Sequence, residues 1–250
     1  MSKNQKRIWI TGASSGIGKA LAEKFTKEGW KVAISARRKE ILNQIADNKN
    51  IFSFPLDVTI EEDCKKTFKE IIQKFDSIDI CFFCSGAYDP NKEKEINLEQ
   101  NKFIMNVNYF GTLNCVKAVE KYFKDKKEGH LSIVSSIAGY RGLPNSSGYG
   151  PSKAALNNFT ESIYFDFKKY NVRVSLVSPG FIKTPLTDKN DFSMPFLRSP
   201  EFAANQIYNG LVYSNTFEIH FPKQLTLLLK FFKILPNKIY LFLIDKFVKR

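Results

Sequence analysis

The chain of 250 residues carries a formal net charge of +13, with 43% hydrophobic and 25% charged residues. That apolar content builds a core and excludes a disordered chain, while the length suits one large α/β domain. The charge excess admits an anionic ligand, a nucleic acid or a membrane surface, but no zinc-finger or aromatic RNA-binding motif accompanies the dispersed basic residues, so nucleic acid is not an expected partner.

Residues 1–7 lead into a strand-like run with no apolar segment of signal-peptide length, so a cytoplasmic chain is expected. Residues 7–11, Arg-Ile-Trp-Ile-Thr, read as a short buried strand. A glycine-rich turn follows, with Gly12, Gly16 and Gly18, and then a helical run over residues 19–28 closed by Gly29. Between a strand and a helix such a turn has a chemical meaning. Gly12 permits the tight turn, Gly16 lets a phosphate approach the backbone, and Gly18 lets helix and strand pack closely, with a pyrophosphate at the helix N-terminus. The spacing is G-x-x-x-G-x-G rather than G-x-G-x-x-G.

Residues 30–35 read as the second strand, and Ala36-Arg37-Arg38 follows it. An acid at that place binds a ribose 2′-hydroxyl, whereas arginine accommodates a 2′-phosphate. Arg37 and Arg38 therefore favour NADP(H) over NAD(H). Residues 50–56 are the third strand, ending at Asp57, which is either a turn acid or a contact for the adenine ring. Thr59 is expected to cap a helix over residues 60–75, with Glu62 behind it. Residues 78–84 are the fourth strand. Cys81 and Cys84 make a C-x-x-C, but the flanks are apolar and no second such pair or paired histidine accompanies them. Buried thiols and no metal site are the expectation, and the four scattered cysteines (Cys64, Cys81, Cys84, Cys115) fit a reducing compartment.

A polar loop over residues 88–97 leads to a long helix over residues 98–123, with Asn108 inside it. Residues 130–135 are the fifth strand, with Ser136 at its end. A helix over residues 149–170 places Tyr149 and Lys153 four apart on one face, and Pro151 falls in its first turn, where a missing N–H is tolerated. A free tyrosine has a pKa of about 10. An ammonium one turn away lowers that value and makes the phenol a usable proton donor and acceptor. Residues 171–177 are the sixth strand, expected to break at Ser178-Pro179-Gly180 before Phe181, Ile182 and Thr184. The alternation of strands and helices predicts a parallel sheet covered on both faces.

In order and spacing, TGASSGIG, the Asp57 turn, N-x-x-G at Asn108, Ser136 thirteen positions before Tyr149, Y-x-x-x-K and P-G-x-x-x-T resemble the short-chain dehydrogenase/reductase family over about residues 6–220. The resemblance implies a single-domain α/β, Rossmann-like, doubly wound parallel sheet of about seven strands with helices on both faces. It implies an NADP(H)-dependent oxidoreductase acting on a small-molecule carbonyl or alcohol. Tyr149 would pass the proton, Ser136 would bond the substrate oxygen, Lys153 would hold the nicotinamide ribose, and Asn108 would support a water relay. Cofactor contacts would come from Gly12, Ser14, Ser15, Gly16, Ile17, Gly18, Arg37, Arg38, Asp57, Val58, Gly86, Tyr149, Lys153, Pro179, Gly180, Ile182 and Thr184. By the same analogy the chain would be a homo-oligomer. One departure stands out: Phe83-Cys84-Ser85-Gly86 replaces the family's Asn-Asn-Ala-Gly, losing two amide side chains. That leaves room for a dinucleotide-binding sensor or scaffold with little turnover.

Residues 185–200 contain Leu186, Phe192, Met194, Pro195, Phe196 and Leu197. As a lid they either line an apolar pocket for a lipophilic substrate or form a packed loop. Residues 221–250 hold seven basic residues and one acidic one, and so carry +6 of the charge. Two short amphipathic helices split by Pro236 are predicted, forming an extension to a catalytic part over residues 1–220. They either lie in a membrane interface or pack on the cleft or on a partner subunit.

Overall fold

Runs rich in Ile, Val and Phe, each too short for a helix, alternate with helical segments and assemble as a parallel sheet. The computed structural model describes residues 5–46, 50–90 and 95–247. Its strands are β1 (Arg7–Thr11), β2 (Lys31–Ser35), β3 (Ile51–Ser53), β4 (Ile80–Phe83), β5 (His130–Val134), β6 (Arg173–Pro179) and β7 (Glu218–Phe221). They form one seven-stranded sheet in the order β3-β2-β1-β4-β5-β6-β7, with every pairing parallel. The order reverses beside β1, and the crevice at that point is where a doubly wound sheet binds ligand.

Side chains alternate across the pleat. Ile8 and Ile10 of β1 join a core with Leu21, Phe25, Ile207 and Tyr208, while Trp9 enters an opposite core with Phe68, Phe75, Phe123 and Phe167. The first core lies under α1 (Gly16–Lys27), α2 (Lys39–Ile45) and α7 (Pro200–Tyr213). The second lies under α3 (Glu61–Phe75), α5 (Gly111–Lys126) and α6 (Tyr149–Lys168). Each fully buried side chain of this size contributes about 1.5–3 kcal/mol.

Several expectations are corrected. The third strand stops at Ser53, short of Leu56. Thr59 does not cap α3: its N–H and Oγ1 donate to Asp57 Oδ1 at 3.0 and 2.7 Å, and Ile60 occupies the cap position. Glu61, Glu62 and Asp63 in the first turn favour the helix N-terminus by charge instead. The long helix is α4 (Leu98–Met105), a π-helical turn (Asn106–Phe110) and α5. π turns gather at functional sites, and this one carries Asn108. The sixth strand continues through Pro179, because β5 has ended opposite Val177 and Pro179 is paired only with Phe221 of β7.

The tail forms two helices, α8 (Lys223–Ile234) and α9 (Asn237–Phe247), with Pro236 between them. Phe221, expected to open the extension, is the buried last residue of β7. Residues 91–94 of the predicted polar loop, residues 1–4 and residues 248–250 of the tail lie outside the described residues. Among the described residues no helix is long and apolar enough to cross a membrane.

Candidate active site

The turn from β1 into α1 is closed by its glycines. Gly12 has φ +68°, and a Cβ there would stand 2.6 Å from the Cys84 carbonyl oxygen. A Cβ at Gly18 would meet Gly12 O at 2.5 Å, and one at Gly16, with φ +54°, would meet Thr184 Cγ2 at 2.9 Å. These three positions bring β1, the start of α1 and the segment after β6 around one cleft. Ser15 is the N-cap of α1 without a side-chain capping bond, and the helix end offers its amides and positive pole to an anion. The cradle therefore fits a dinucleotide pyrophosphate.

The cleft has a volume of about 440 Å³. Ser14, Ile17, Arg37, Arg38, Asp57, Val58 and Gly86 line it, as do Pro179, Gly180, Ile182 and Thr184 from beyond β6. Arg38 Nη2 donates to Ser14 Oγ at 2.8 Å, so one arginine bridges back to the glycine turn. The Asp57 carboxylate is engaged by Thr59 on one oxygen while it borders the cleft.

Ser136, Tyr149 and Lys153 meet in the same cleft. Ser136 follows β5 and caps the 3₁₀ turn Ile137–Gly139, accepting from Ala138 N at 3.2 Å. Its hydroxyl is close enough to the Tyr149 phenol to favour the phenolate. Lys153 is buried, donates to Val134 O at 2.9 Å, and lies 5.6 Å from the centroid of the Tyr149 ring. The electrostatics differ from the expectation of a lowered phenol. Burial pushes the Tyr149 phenol up to about 12, with the nearby Ser136 hydroxyl pulling it down. Burial lowers the Lys153 ammonium to about 8. Near neutrality the phenol is a protonated donor.

Asn108 stands behind this group rather than in the cleft. Fully buried in the π turn, it accepts from Ala87 N at 2.7 Å and donates to Ala87 O at 3.0 Å and Ser152 Oγ at 2.9 Å. The departure from Asn-Asn-Ala-Gly finds its physical account here. Phe83 packs edge-on to Trp9 at 5.7 Å, the Cys84 and Ser85 amides donate to Thr11 Oγ1 at 3.2 and 3.4 Å, and Asn108 pins Ala87. The loop is held without the two missing amides. Cys81 and Cys84 face opposite sides of the sheet, so they do not form a redox pair.

Two features escaped the sequence. Tyr88 stands edge-on to Tyr149 with ring centroids 4.9 Å apart, donates to Asn190 Oδ1 at 2.6 Å, and accepts from Lys189 Nζ on its carbonyl at 2.9 Å. The segment after β6 is thereby latched over Tyr149. Of its apolar residues Leu186 reaches the cleft, whereas Phe192, Phe196 and Leu197 are exposed. The second feature is Glu218, which accepts from Tyr140 and Ser178 at 2.6 Å each and pairs with Lys230 of α8 at 2.5 Å. Leu225 of α8 packs with Ile137 and Tyr140, directly after Ser136. The tail thus forms part of the wall behind the site. Nothing in a run as short as Glu-Ile-His-Phe signals this.

Compared with known proteins, residues 6–193 match the model of the short chain dehydrogenase family. An uncharacterized oxidoreductase of Myxococcus xanthus is 32% identical over 236 residues, covering 92% of this chain and 93% of that protein. The structure of ElxO with NADP bound is similar at 28% identity and a TM-score of 0.77, covering 87% of this chain and 98% of that one. A short chain dehydrogenase/reductase from Burkholderia phymatum in complex with NAD shares the fold at 18% identity and a TM-score of 0.81, over 92% and 93% of the two chains.

Proposed function

Since the chain belongs to the short chain dehydrogenase family, we propose that it is an NADP(H)-dependent oxidoreductase, with Tyr149 as the proton donor to a lipophilic carbonyl or its acceptor from the alcohol. The carrying observation is the meeting of Ser136, Tyr149 and Lys153 in one cleft with the glycine turn. Nicotinamide supplies or accepts the hydride when bound.

The chain's own residues do the rest. Gly12, Ser14, Ser15, Gly16, Ile17 and Gly18 hold the pyrophosphate side. Asp57, Val58 and Gly86 border the adenosine and central part. Pro179, Gly180, Ile182 and Thr184 hold the nicotinamide end. Ser136 orients the oxygen that Tyr149 protonates, Lys153 places a positive charge beneath it, and Asn108 keeps the Ala87 loop and the π turn in register for a proton relay. Arg37 and Arg38 receive the 2′-phosphate. Support comes from the bridge of Arg38 to Ser14 and from the NADP-bound relative. Leu186 in the cleft and the apolar latch segment favour a lipophilic substrate. Buried Cys64 and Cys115, with sulfurs 3.8 Å apart in a thiol hydrogen bond and no disulfide, fit a cytoplasmic, reducing location. Exposed Phe103, Phe110 and Phe165 supply apolar surface for a homo-oligomer. Residues 1–220 carry the catalysis and residues 221–250 extend it.

The test is turnover with each cofactor against a panel of hydrophobic ketones. Oxidation of NADPH is expected, with kcat/KM well above that for NADH. Arg37→Ala with Arg38→Ala is expected to lower that preference by roughly 1.5–3 kcal/mol for each charge-assisted bond lost. Equal kcat/KM for the two cofactors in the wild type contradicts the assignment. Tight NADPH binding with no turnover of any ketone or alcohol returns the chain to a sensor or scaffold.

A further inference from the structure

The C-terminal helices bury one side and leave the other bare. On α8 Leu225 and Thr226 face the body, while Leu227, Leu228, Phe231 and Ile234 are between 48% and 77% exposed. On α9 Tyr240 and Ile244 face inward, and Ile239, Leu241 and Phe242 are between 49% and 63% exposed. Contiguous exposed apolar surface of this kind marks an interaction site.

The face belongs to a fixed element. Arg141 Nη1 donates to Phe232 O at 2.8 Å and Leu235 O at 2.7 Å, capping the carbonyl end of α8. Its other nitrogen donates to Asn237 Oδ1 at the start of α9. The guanidinium lies 4.0 Å from the centroid of the Tyr240 ring, and Tyr240 donates to Gly142 O at 2.6 Å. One arginine therefore clamps both helices to the loop after the Ser136 turn, and the apolar side chains are held outward.

Charge identifies what covers them. Lys223, Lys233, Lys238 and Lys246 are exposed on the same two helices, and residues 221–250 contain seven basic residues against the single acid Asp245. A second copy meeting these helices about a two-fold axis would bring the lysines of one copy towards those of the other. An anionic bilayer instead accepts apolar side chains at the acyl boundary and ammonium groups among its phosphates. The helices are 12 and 11 residues long, suited to lying in that plane and too short to span it.

We infer that the outer face of α8 and α9 docks the chain on an anionic lipid bilayer. This adds a location to the proposed oxidoreductase, and the docking itself is argued from the surface. It rests on that reading in one respect only: α8 also walls the site, so a lipophilic substrate is met at the bilayer.

The experiment uses the full chain with vesicles of phosphatidylcholine alone and of phosphatidylcholine mixed with phosphatidylglycerol. Sedimentation with the mixed vesicles at low salt, release at high salt and no sedimentation with neutral vesicles are expected. Phe231→Ser with Phe242→Ser, and separately Lys233→Gln with Lys238→Gln, should each weaken binding by about tenfold or more. Both pairs are exposed, so melting temperature and NADPH turnover of a soluble ketone should stay unchanged. Failure to sediment, or equal sedimentation with neutral vesicles, overturns the inference. So does a shift in sedimentation coefficient of the phenylalanine variant without any vesicle effect, which assigns the face to a second copy. Because turnover is read in solution, loss of lipid binding with intact turnover refutes only the docking. Lipid binding without turnover refutes only the chemistry.

Discussion

At the scale of single residues, Tyr149 and Lys153 are moved by burial in opposite directions, the phenol up to about 12 and the ammonium down to about 8. Both shifts disfavour charge, as desolvation does. Carbonyl reduction needs a protonated phenol and gains from a charged lysine. The phenol stays protonated through the neutral range, so the group that titrates first as pH rises is Lys153. kcat/KM for reduction is therefore expected to hold below about pH 8 and to fall as pH rises through it. The direction follows from loss of the ammonium, and a pH profile of kcat/KM, which reports the free enzyme, checks it. A profile that climbs through that range would contradict the role given to Lys153. At this scale the sequence was most legible. The glycine turn, Ser136 and the Tyr149–Lys153 spacing are local patterns, and the fold brings them together. Tyr88 was not legible, because its contact with Tyr149 spans a loop whose residues follow no period.

At the scale of elements, β7 and α8 form a support for the Ser136 turn. Glu218 is the hub. Burial raises its carboxyl, but the bonds from Lys230, Ser178 and Tyr140 outweigh that and hold it below its ordinary value of 4.5. A depressed native value contributes stability that is present above the unfolded value and is lost as pH falls through the native one. Thermal unfolding of the wild type should therefore weaken below pH 4.5 more steeply than that of Glu218→Gln. The variant should be about 1–2 kcal/mol less stable near neutrality, allowing for partial exposure of Lys230. Equal stability of the two proteins at every pH would remove Glu218 from this role. Ending the chain after Pro222 deletes α8 and α9 and uncovers Ile137, Tyr140 and Phe181, which pack with Leu225. The loss of Leu225 burial alone is about 1.5–3 kcal/mol, so a lower melting temperature and weaker turnover are expected. An unchanged melting temperature would contradict that packing. The two tail helices were legible from composition and from Pro236. Their attachment through Arg141 was not, because the arginine precedes them by some ninety residues in sequence.

At the scale of the molecule, the strand order places a cleft beside β1, where the glycine turn, the arginines after β2 and the Ser136–Tyr149–Lys153 group all open. Alternation of strand and helix made the parallel sheet legible. The π turn at Asn108 was hidden, because a helix that widens by one residue keeps its composition. The +13 net charge remains. Nearly half of it sits in residues 221–250, and the excess favours anionic partners, of which the dinucleotide is one. The central claim is that this cleft transfers a proton through Tyr149 while hydride moves to or from nicotinamide. Single-turnover and steady-state oxidation of NADPH by a hydrophobic ketone, with the wild type and with Tyr149→Phe, tests it most directly. The ring is kept and the transferable proton removed, so kcat is expected to fall by at least about a hundredfold, with NADPH affinity little changed. Near wild-type turnover in Tyr149→Phe would contradict it.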